Sequence, residues 1–286
     1  MPNQKLNFIF WGTPDVASET LDILKENGYL PSLIITAPDA QKGRGLHMEA
    51  SPVAIFAEKN NIPCLKPERL NDEFFKKLKP NCLEPNCLFI TVAYGKIIPE
   101  NIINLPKFGS INIHYSLLPK YRGASPVESA ILNGDTETGV SIQKMEYKMD
   151  IGPILATEKV EIGENEKAPE LRKRLIKIGG ELLVKILPDF IDGKINLIPQ
   201  NENEATYCKK IKKEDGEINL NDDAIKNYNK FRAYAYWPRT FFFKNNKRII
   251  ITDVVLENNP FDKAQDKQFI IKKVIPEGGK EIEYKG

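Results

Sequence analysis

The fold class of this 286-residue chain is decided by residues 6–14, which read Leu6-Asn7-Phe8-Ile9-Phe10-Trp11-Gly12-Thr13-Pro14. The apolar run predicts a buried strand that breaks at Gly12. Thr13 followed by proline is typical of a helix start, with threonine as the N-cap and proline at the first helical position. We expect this helix to end at Asn27-Gly28, because glycine commonly follows a helix C-terminus. A buried strand that leads into a helix is the repeating unit of parallel sheets.

The alternation of strands and helices continues through the first two thirds of the chain. Apolar runs predict strands at residues 33–36 and 88–92, and a polar loop at 37–49 follows the first of them. Ser51-Pro52 predicts the start of a second helix, and Ser125 with Glu128 predicts a third through a capping box. After Pro169, apolar residues recur every three to four positions and predict a long helix that ends by Pro188. The whole pattern is typical of a doubly wound, Rossmann-like α/β domain with a parallel sheet.

A different pattern begins after residue 204. Short runs rich in aromatic and β-branched residues lie at 240–243, 249–255 and 269–275, separated by Asn245-Asn246 and Gly278-Gly279. Such runs are typical of a small antiparallel β-barrel. Residues 191–204 are polar and irregular, as a linker would be. We therefore predict a catalytic domain at residues 1–190, a linker at 191–204 and a barrel domain at 205–286.

The composition is that of an ordinary soluble globular protein. With 41% hydrophobic and 28% charged residues, it excludes intrinsic disorder, collagen-like repeats and a coiled coil. No apolar run approaches the ~18–20 residues of a membrane span, so we expect no membrane partner. Four cysteines show neither metal-site spacing nor the density of a disulfide scaffold. Because the N-terminus also lacks a signal-peptide pattern, we expect free thiols and a cytoplasmic protein.

The net charge of +2 is unevenly distributed along the chain. Residues 205–286 carry 17 lysines and arginines against 12 acidic residues, a net charge of +5, while the remainder has a net charge of −3. A basic C-terminal part is consistent with a polyanionic partner. A solvated lysine-rich surface is the alternative, and charge alone favours it.

Polar and apolar residues alternate strictly in Gly109-Ser110-Ile111-Asn112-Ile113-His114-Tyr115-Ser116. Strand geometry places Asn112, His114 and Ser116 on one face, close to the C-terminal end of a strand. Open α/β sheets bind their ligands at that end. The alternation by itself leaves open a half-exposed edge strand with a satisfied histidine.

The segments that follow are similar to the signature of the folate-dependent formyltransferases. They are Leu117-Leu118-Pro119, Lys120-Tyr121-Arg122-Gly123-Ala124-Ser125-Pro126, Gly134-Asp135-Thr136-Glu137-Thr138-Gly139-Val140 and Met149-Asp150-Ile151-Gly152. The resemblance implies transfer of a formyl group from 10-formyltetrahydrofolate to an amine, without a metal, by a catalytic trio of Asn112, His114 and Asp150. Asn112 and a protonated His114 would stabilise the oxyanion, while Asp150 would hold His114 charged and relay a proton.

The same resemblance implies where the folate lies. It would contact residues 89–98 and 116–119, whose apolar and backbone groups suit a pterin ring. The implied cofactor-binding residues are Tyr94, Ile97, Ser116, Leu117, Leu118 and Pro119.

Three further stretches resemble the family members that act on methionyl-tRNA. They are the opening residues 10–14, the loop 36–45 that leads to Ser51-Pro52, and residues 205–216 together with 231–238. The resemblance implies methionyl-tRNA as the partner, for translation initiation, in a monomer that binds no DNA. The implied tRNA contacts are Lys42, Gly43, Arg44 and Arg122, and a shortened oligonucleotide-binding (OB-fold-like) barrel would hold the acceptor arm.

Two alternatives remain open at this stage. A sugar N-formyltransferase would share the trio and the folate donor. A non-catalytic tRNA-binding module could also retain the fold. The chain departs from the family pattern at Tyr115 and Pro153, between residues 81 and 87, and in a short tail after Val255.

Overall fold

The computed structural model describes residues 6–42, 47–82, 87–258 and 267–285. Its strands in chain order are β1 (Asn7–Gly12), β2 (Leu33–Ile35), β3 (Ala40–Lys42), β4 (His47–Glu49), β5 (Cys64–Leu65), β6 (Cys87–Val92), β7 (Ser110–His114), β8 (Arg122–Gly123), β9 (Glu137–Lys144), β10 (Ile154–Glu161), β11 (Tyr207–Cys208), β12 (Phe241–Lys244), β13 (Lys247–Asn258), β14 (Lys267–Pro276) and β15 (Ile282–Glu283). Its α-helices are α1 (Asp15–Glu26), α2 (Pro52–Lys59), α3 (Asp72–Leu78), α4 (Glu100–Ile103), α5 (Pro126–Leu132), α6 (Ala168–Ile191) and α7 (Ala224–Ala233).

The chain divides into two compact units, each made of discontinuous segments. Unit 1 comprises Met1–Arg122, Gly139–Lys159 and Arg174–Thr206, and unit 2 comprises Gly123–Thr138, Val160–Lys173 and Tyr207–Gly286. Two segments of the first 190 residues thus pack in unit 2. The boundaries 1–190, 191–204 and 205–286 stay a prediction about folding domains.

A seven-stranded sheet forms the centre of unit 1, in the order β10-β9-β7-β6-β1-β2-β5. Strands β5, β2, β1, β6 and β7 run parallel, and β9 pairs antiparallel with β7. The predicted α/β fold with a parallel sheet is therefore confirmed. Strand β1 is almost entirely apolar because it lies at an interior position of the sheet and is buried on both faces.

Trp11 organises the packing on one face of this sheet. Its indole lies against Phe74, Phe89 and Tyr94, with ring centroids 6.2, 5.4 and 5.1 Å away. The rings of Phe74 and Tyr94 meet it edge to face, which is a favourable geometry for aromatic pairs. Helix α3 and the segment before α4 are held against the sheet through this cluster.

The long helix α6 packs closely because it contains two adjacent glycines. A Cβ at Gly179 would lie 3.1 Å from Ile113 of β7, and a Cβ at Gly180 would lie 2.7 Å from Ile23 of α1. The helix was predicted to end by Pro188, but it continues to Ile191 and includes that proline. None of the helices in the described part of the chain combines the length and hydropathy that a membrane span requires.

Two of the predicted side-chain helix caps are wrong, although α5 begins at Pro126 as predicted. Thr13 does not cap α1, because its Oγ1 donates to the Tyr94 carbonyl oxygen at 3.0 Å and the helix begins after Pro14. Ser125 makes no side-chain cap bond, and Glu128 pairs with Arg172 instead of completing a capping box. The start at Ser51 is confirmed, since its Oγ accepts from the amide of Ala54 at 3.0 Å.

Unit 2 contains the predicted antiparallel strands. Strands β12, β13, β14 and β15 form one antiparallel sheet in sequence order. Its core includes Phe242, Ile251 and Val274 of the sheet, with Phe231 of α7 packed on them. The antiparallel strands of this second region were thus predicted correctly, although helix α7 was not predicted. The polar loop predicted at 37–49 was partly wrong, because β3 and β4 form a hairpin there.

We predict that Gly180→Leu lowers the free energy of unfolding by about 1–3 kcal/mol, because the larger side chain must displace Ile23 in a packed contact. Urea unfolding followed by circular dichroism measures the change. Glu181→Leu is the matched control, since residue 181 is exposed on the same helix and its replacement should change stability by less than about 0.5 kcal/mol. Equal midpoints for the wild type and Gly180→Leu would contradict the close packing.

Candidate functional site

The candidate site lies in unit 1 at the carboxyl end of β7. In the register of the sheet, Asn112 is paired with Thr91 of β6 and with Gln143 of β9, and His114 is paired with Ser141. Because side chains alternate along a strand, Asn112 and His114 share one face, as the sequence predicted. Asn112 is partly exposed and His114 is buried, so the carboxamide is the more accessible of the two groups.

The imidazole of His114 lies between two acceptors. Its Nε2 is 2.8 Å from the carbonyl oxygen of Tyr121, and its Nδ1 is 3.7 Å from Oδ2 of Asp150. A carbonyl oxygen can only accept, so Nε2 carries a hydrogen in this contact. A second proton on Nδ1 would therefore produce an imidazolium that faces the carboxylate. The structure thus brings His114 and Asp150 together across 36 residues of sequence.

Asp150 is held on the loop between β9 and β10 by side chains from elsewhere in unit 1. The Nε2 of Gln143 donates to its Oδ1 at 2.8 Å, which leaves Oδ2 facing His114. The Nε2 of Gln200 donates to the backbone carbonyl oxygens of Asp150 and Gly152, at 2.9 and 2.7 Å. Asp150 adopts φ +56°, a left-handed conformation that aspartate tolerates better than most residues.

Backbone contacts close the same loop from the other side. The amide of Lys144 donates to the carbonyl oxygen of Pro153 at 2.9 Å. A Cβ at Gly152 would overlap the carbonyl oxygen of Lys144, so only glycine allows this close approach. The position of Asp150 is therefore determined by its neighbours on both sides.

Arg122, one of the predicted tRNA contacts, is a buried residue of unit 1. It is only 1% exposed, and its Nε and Nη2 donate to Oε1 of Gln200 at 3.0 and 2.8 Å. Its Nη1 and Nη2 also donate to the two carboxylate oxygens of Glu202, at 2.9 and 2.6 Å. The guanidinium is thus engaged inside unit 1, and its contact with tRNA stays a prediction from the sequence.

The residues expected to contact folate differ in accessibility. Ile97 is 70% exposed, and Leu117 and Pro119 are partly exposed, so these three can offer surface to a ligand. Tyr94 is 3% exposed within the Trp11 cluster, and burial raises its pKa to about 12. Its ring is therefore a core group in this structure.

Ser116 and Leu118 are also buried, and both belong to a turn that Ser141 ties together. The Oγ of Ser141 donates to the carbonyl oxygen of Ser116 at 2.7 Å and accepts from the amide of Leu118 at 3.0 Å. The Oγ of Ser116 donates to the carbonyl oxygen of Lys120 at 2.6 Å. These side chains shape the turn on which Leu117 and Pro119 lie.

The other predicted tRNA contacts are Lys42, Gly43 and Arg44. Gly43 and Arg44 lie outside the described residues. Lys42 is the last residue of β3, where its backbone is paired with His47 of β4. Their role stays a prediction from the sequence. Among the residues that the structure describes, no three or more histidine, cysteine or acidic side chains are grouped to hold a metal ion.

Sequence reasoning missed the two glutamines of this site. Gln143 lies in β9 as the cross-strand partner of Asn112, a pairing that the structure shows and the sequence does not. Gln200 lies in the segment predicted to be a linker, and no periodic pattern marks it. That segment is instead held in unit 1, where Ile198 pairs with Ile154 of β10.

Comparison with known proteins identifies relatives for both parts of the chain. The formyl transferase family matches residues 4–187, and the formyl transferase C-terminal domain matches residues 210–273. The chain is 37% identical to methionyl-tRNA formyltransferase of Sulfurihydrogenibium sp., over 94% of this chain and 88% of that protein. It is 40% identical to methionyl-tRNA formyltransferase of Thermodesulfovibrio yellowstonii, over 88% of this chain and 81% of that protein.

Solved structures show a similar fold at lower identity. An N-formyltransferase from Helicobacter canadensis in complex with folinic acid and dTDP-3-aminofucose matches with a TM-score of 0.70 and 19% identity, over 93% of this chain and 98% of that one. Methionyl-tRNA formyltransferase from Clostridium thermocellum matches with a TM-score of 0.59 and 19% identity, over 93% and 99%. At this identity, both likenesses establish the fold alone.

We predict that the Arg122–Glu202 pair stabilises the protein only while Glu202 is ionised. The hydrogen bond from Arg122, with a smaller contribution from Lys148, holds the pKa of the Glu202 carboxyl below its ordinary value. A carboxyl with a lowered folded-state pKa stabilises the fold above its unfolded pKa, and this contribution is lost as pH falls through the folded value.

Thermal unfolding of the wild type and of Glu202→Gln between pH 7 and pH 3 tests this prediction. The wild type should have the higher melting temperature at neutral pH, and the difference should vanish at the acid end. Glu281→Gln, at an exposed position, should show little difference at any pH. A difference for Glu202→Gln that does not depend on pH would contradict the ion pair.

Proposed function

The chain belongs to the formyl transferase family, and on this premise we propose that it transfers a formyl group from 10-formyltetrahydrofolate to the amino group of methionyl-tRNA. The observation that carries the proposal is its 36–40% identity, over most of both chains, to proteins named methionyl-tRNA formyltransferase. Use of a tRNA substrate places the reaction in the cytoplasm, and we propose that the protein acts there as a monomer.

The catalytic roles follow from the chemistry of formyl transfer. When bound, 10-formyltetrahydrofolate supplies the activated formyl group. As the substrate amine attacks the formyl carbon, a new carbon–nitrogen bond forms and negative charge develops on the formyl oxygen. Asn112 supports this step best, because its accessible carboxamide can donate to that oxygen from the end of β7.

In this proposal His114 supplies positive charge and Asp150 transfers the proton. Both ring nitrogens of His114 face protein acceptors, so a doubly protonated His114 supplies positive charge behind Asn112 and holds Asp150 in place. Asp150 accepts the proton that the attacking amine loses. That proton then passes to the folate nitrogen as its bond to the formyl carbon breaks, so charge and atoms balance.

Exposed aliphatic side chains follow two neighbouring strands of the sheet in unit 1. Ile97 follows β6, Leu117 and Pro119 follow β7, and flat heteroaromatic rings bind to such apolar groups. The turn of residues 116–120 keeps its shape through the hydrogen bonds of Ser141. We propose that these three residues, rather than the buried Tyr94, contact the folate.

The acceptor experiment decides between this function and its rivals. The purified chain is incubated with labelled 10-formyltetrahydrofolate and, separately, with methionyl-tRNA, free methionine or a nucleotide-linked amino sugar. Label should transfer to methionyl-tRNA alone. Transfer to the sugar would identify a sugar N-formyltransferase, and no transfer to any amine would leave a non-catalytic tRNA-binding module.

We predict that His114→Ala and Asp150→Asn each lower kcat for formyl transfer by about 10²- to 10³-fold, because each removes charge that acts on the developing oxyanion or on the proton. Steady-state kinetics and thermal unfolding separate lost catalysis from lost folding. Asp189→Asn makes the same acid-to-amide change at an exposed position of α6 and should keep wild-type kcat. Wild-type turnover in either catalytic variant would remove that residue from its role.

We also predict that Lys209 and Lys210 hold tRNA phosphates. Both are exposed in a basic part of unit 2, and each released counterion adds about 0.9 to the salt dependence of binding. Replacing both by glutamine should raise KM for methionyl-tRNA several-fold and reduce the slope of log KM against log salt by up to about 2. KM for the folate should not change.

The matched control replaces Lys76 and Lys77, an exposed lysine pair on α3 of unit 1, by glutamine. This variant loses the same charge and should keep the wild-type KM for tRNA. Equal effects of the two double variants would mean that net charge, and not a local contact, governs tRNA binding.

A further inference from the structure

A continuous series of side-chain hydrogen bonds leads from Asp150 to the surface of unit 1. Gln143 donates to the Asp150 carboxylate at 2.8 Å, and Gln200 donates to Oε1 of Gln143 at 3.3 Å. Arg122 then donates to Oε1 of Gln200 and to the carboxylate of Glu202. We call these four residues, Glu202, Arg122, Gln200 and Gln143, the amide chain.

The orientation of both amides in the chain is determined by Arg122. A guanidinium only donates, so Gln200 must turn its oxygen towards Arg122. Its NH₂ group then faces the backbone carbonyl oxygens of Asp150 and Gly152 and the side-chain oxygen of Gln143, all of which only accept. Gln143 in turn directs its own NH₂ group at Asp150.

The hydrogen bonds of the amide chain therefore all run in one direction, and the last of them is donated to a carboxylate. If Gln200 were turned over, its oxygen would face three acceptor oxygens. If Gln143 were turned over, its oxygen would face the carboxylate of Asp150. A buried polar group without a partner costs about 1–3 kcal/mol, so the reversed arrangement is strongly disfavoured. An ionised carboxylate only accepts hydrogen bonds, and a guanidinium only donates them. Asp150 at one end of the amide chain and Arg122 at the other therefore require the same direction of donation.

Gln143 also connects this chain to the catalytic strand. It is buried, and it is the cross-strand partner of Asn112 in the antiparallel pairing of β7 and β9. Directly paired residues place their side chains on the same face of the sheet, with Cβ atoms about 4.5–5.5 Å apart. Gln143 is thus next to one catalytic residue while it holds another.

We propose that Gln200 and Gln143 are positioning residues for formyl transfer, set in orientation by Arg122 and Glu202. Gln200 fixes the backbone of the loop at Asp150 and Gly152, and Gln143 fixes one carboxylate oxygen so that the other faces His114. This inference rests on the proposed function, which supplies the reaction. Neither residue is expected to contact either substrate.

Gln200→Glu is the principal test. The substituted carboxylate keeps the acceptor for Arg122 but cannot donate to the two loop carbonyls or to Gln143. We expect kcat for formylation of methionyl-tRNA to fall about 10- to 100-fold, because the new carboxylate faces three acceptor oxygens where Gln200 donated to them. KM for both substrates should stay within about twofold of the wild type, because no substrate contact is lost.

Gln143→Met provides a second, milder variant that keeps side-chain volume. It removes the donor to Asp150 and the weaker acceptor for Gln200, and it leaves Gln200 bound to the loop carbonyls. We therefore expect a smaller decrease in kcat, about 3- to 10-fold.

Asn61→Asp is the matched control for the amide-to-carboxylate change in Gln200→Glu, since residue 61 is exposed and its left-handed φ of +54° also suits aspartate.

The imidazole signals of the histidines provide a measurement that would not change if the two glutamines had only a structural role. The protein contains only two histidines, His47 and His114, so ¹⁵N-histidine labelling gives two sets of imidazole signals. In both glutamine variants the His114 signals should shift, because the carboxylate that faces Nδ1 changes position. The signals of His47, which lies in β4, should remain unchanged.

The outcomes separate this inference from the proposed function. Reduced kcat with unchanged KM and shifted His114 signals supports the positioning role. Wild-type kcat with unshifted His114 signals overturns it, as does a loss of kcat that only parallels a lower melting temperature. If the wild type does not formylate methionyl-tRNA, the proposed function fails, and the His114 signals alone then support or overturn the positioning of Asp150.

Discussion

The catalytic end of unit 1 is organised by a buried cation that can only donate hydrogen bonds. Arg122 is stabilised there because its donors reach Glu202 on one side and Gln200 on the other. Breaking a buried charge interaction on one side leaves an uncompensated charge, so such an arrangement persists only as a whole. The direction of donation that Arg122 determines continues through Gln200 and Gln143 to Asp150. The position of Asp150 in turn determines which group His114 faces.

The backbone at this site is held in conformations that would not persist alone. Ala93, Tyr121 and Asp150 all have positive φ values, of 46°, 58° and 56°. Such residues each cost of the order of 1–3 kcal/mol and remain only where neighbouring contacts over-determine them. Here the Tyr121 carbonyl accepts from His114, and the Asp150 carbonyl accepts from Gln200. The same hydrogen bonds that place the catalytic groups therefore also hold the strained backbone.

Local patterns in the sequence predicted what depends on neighbours in the chain. The alternation around Asn112 and His114 is a property of one strand, and the parallel sheet followed from the repeated strand–helix unit. Asp150 came from a resemblance, because nothing in its own turn marks it as catalytic. Gln200 could not be predicted, since its partners lie 48 to 78 residues away. Thr13 failed as a helix cap for the same reason, because its hydroxyl donates to Tyr94, 81 residues away.

The proposed catalytic residues by themselves do not select the acceptor. Formyl transfer requires an amine and a formyl carbon beside Asn112, and this requirement is the same for a sugar and for an aminoacyl-tRNA. The fold is likewise shared by sugar N-formyltransferases and methionyl-tRNA formyltransferases at 19% identity. Selection must therefore depend on residues away from the trio, and the net charge of +5 in residues 205–286 is the property of this chain that a polyanion, and not a small sugar, would use. In the proposed function, catalysis and acceptor choice therefore rest on different physical interactions: directed hydrogen bonds within unit 1 for the first, and long-range attraction of phosphates for the second.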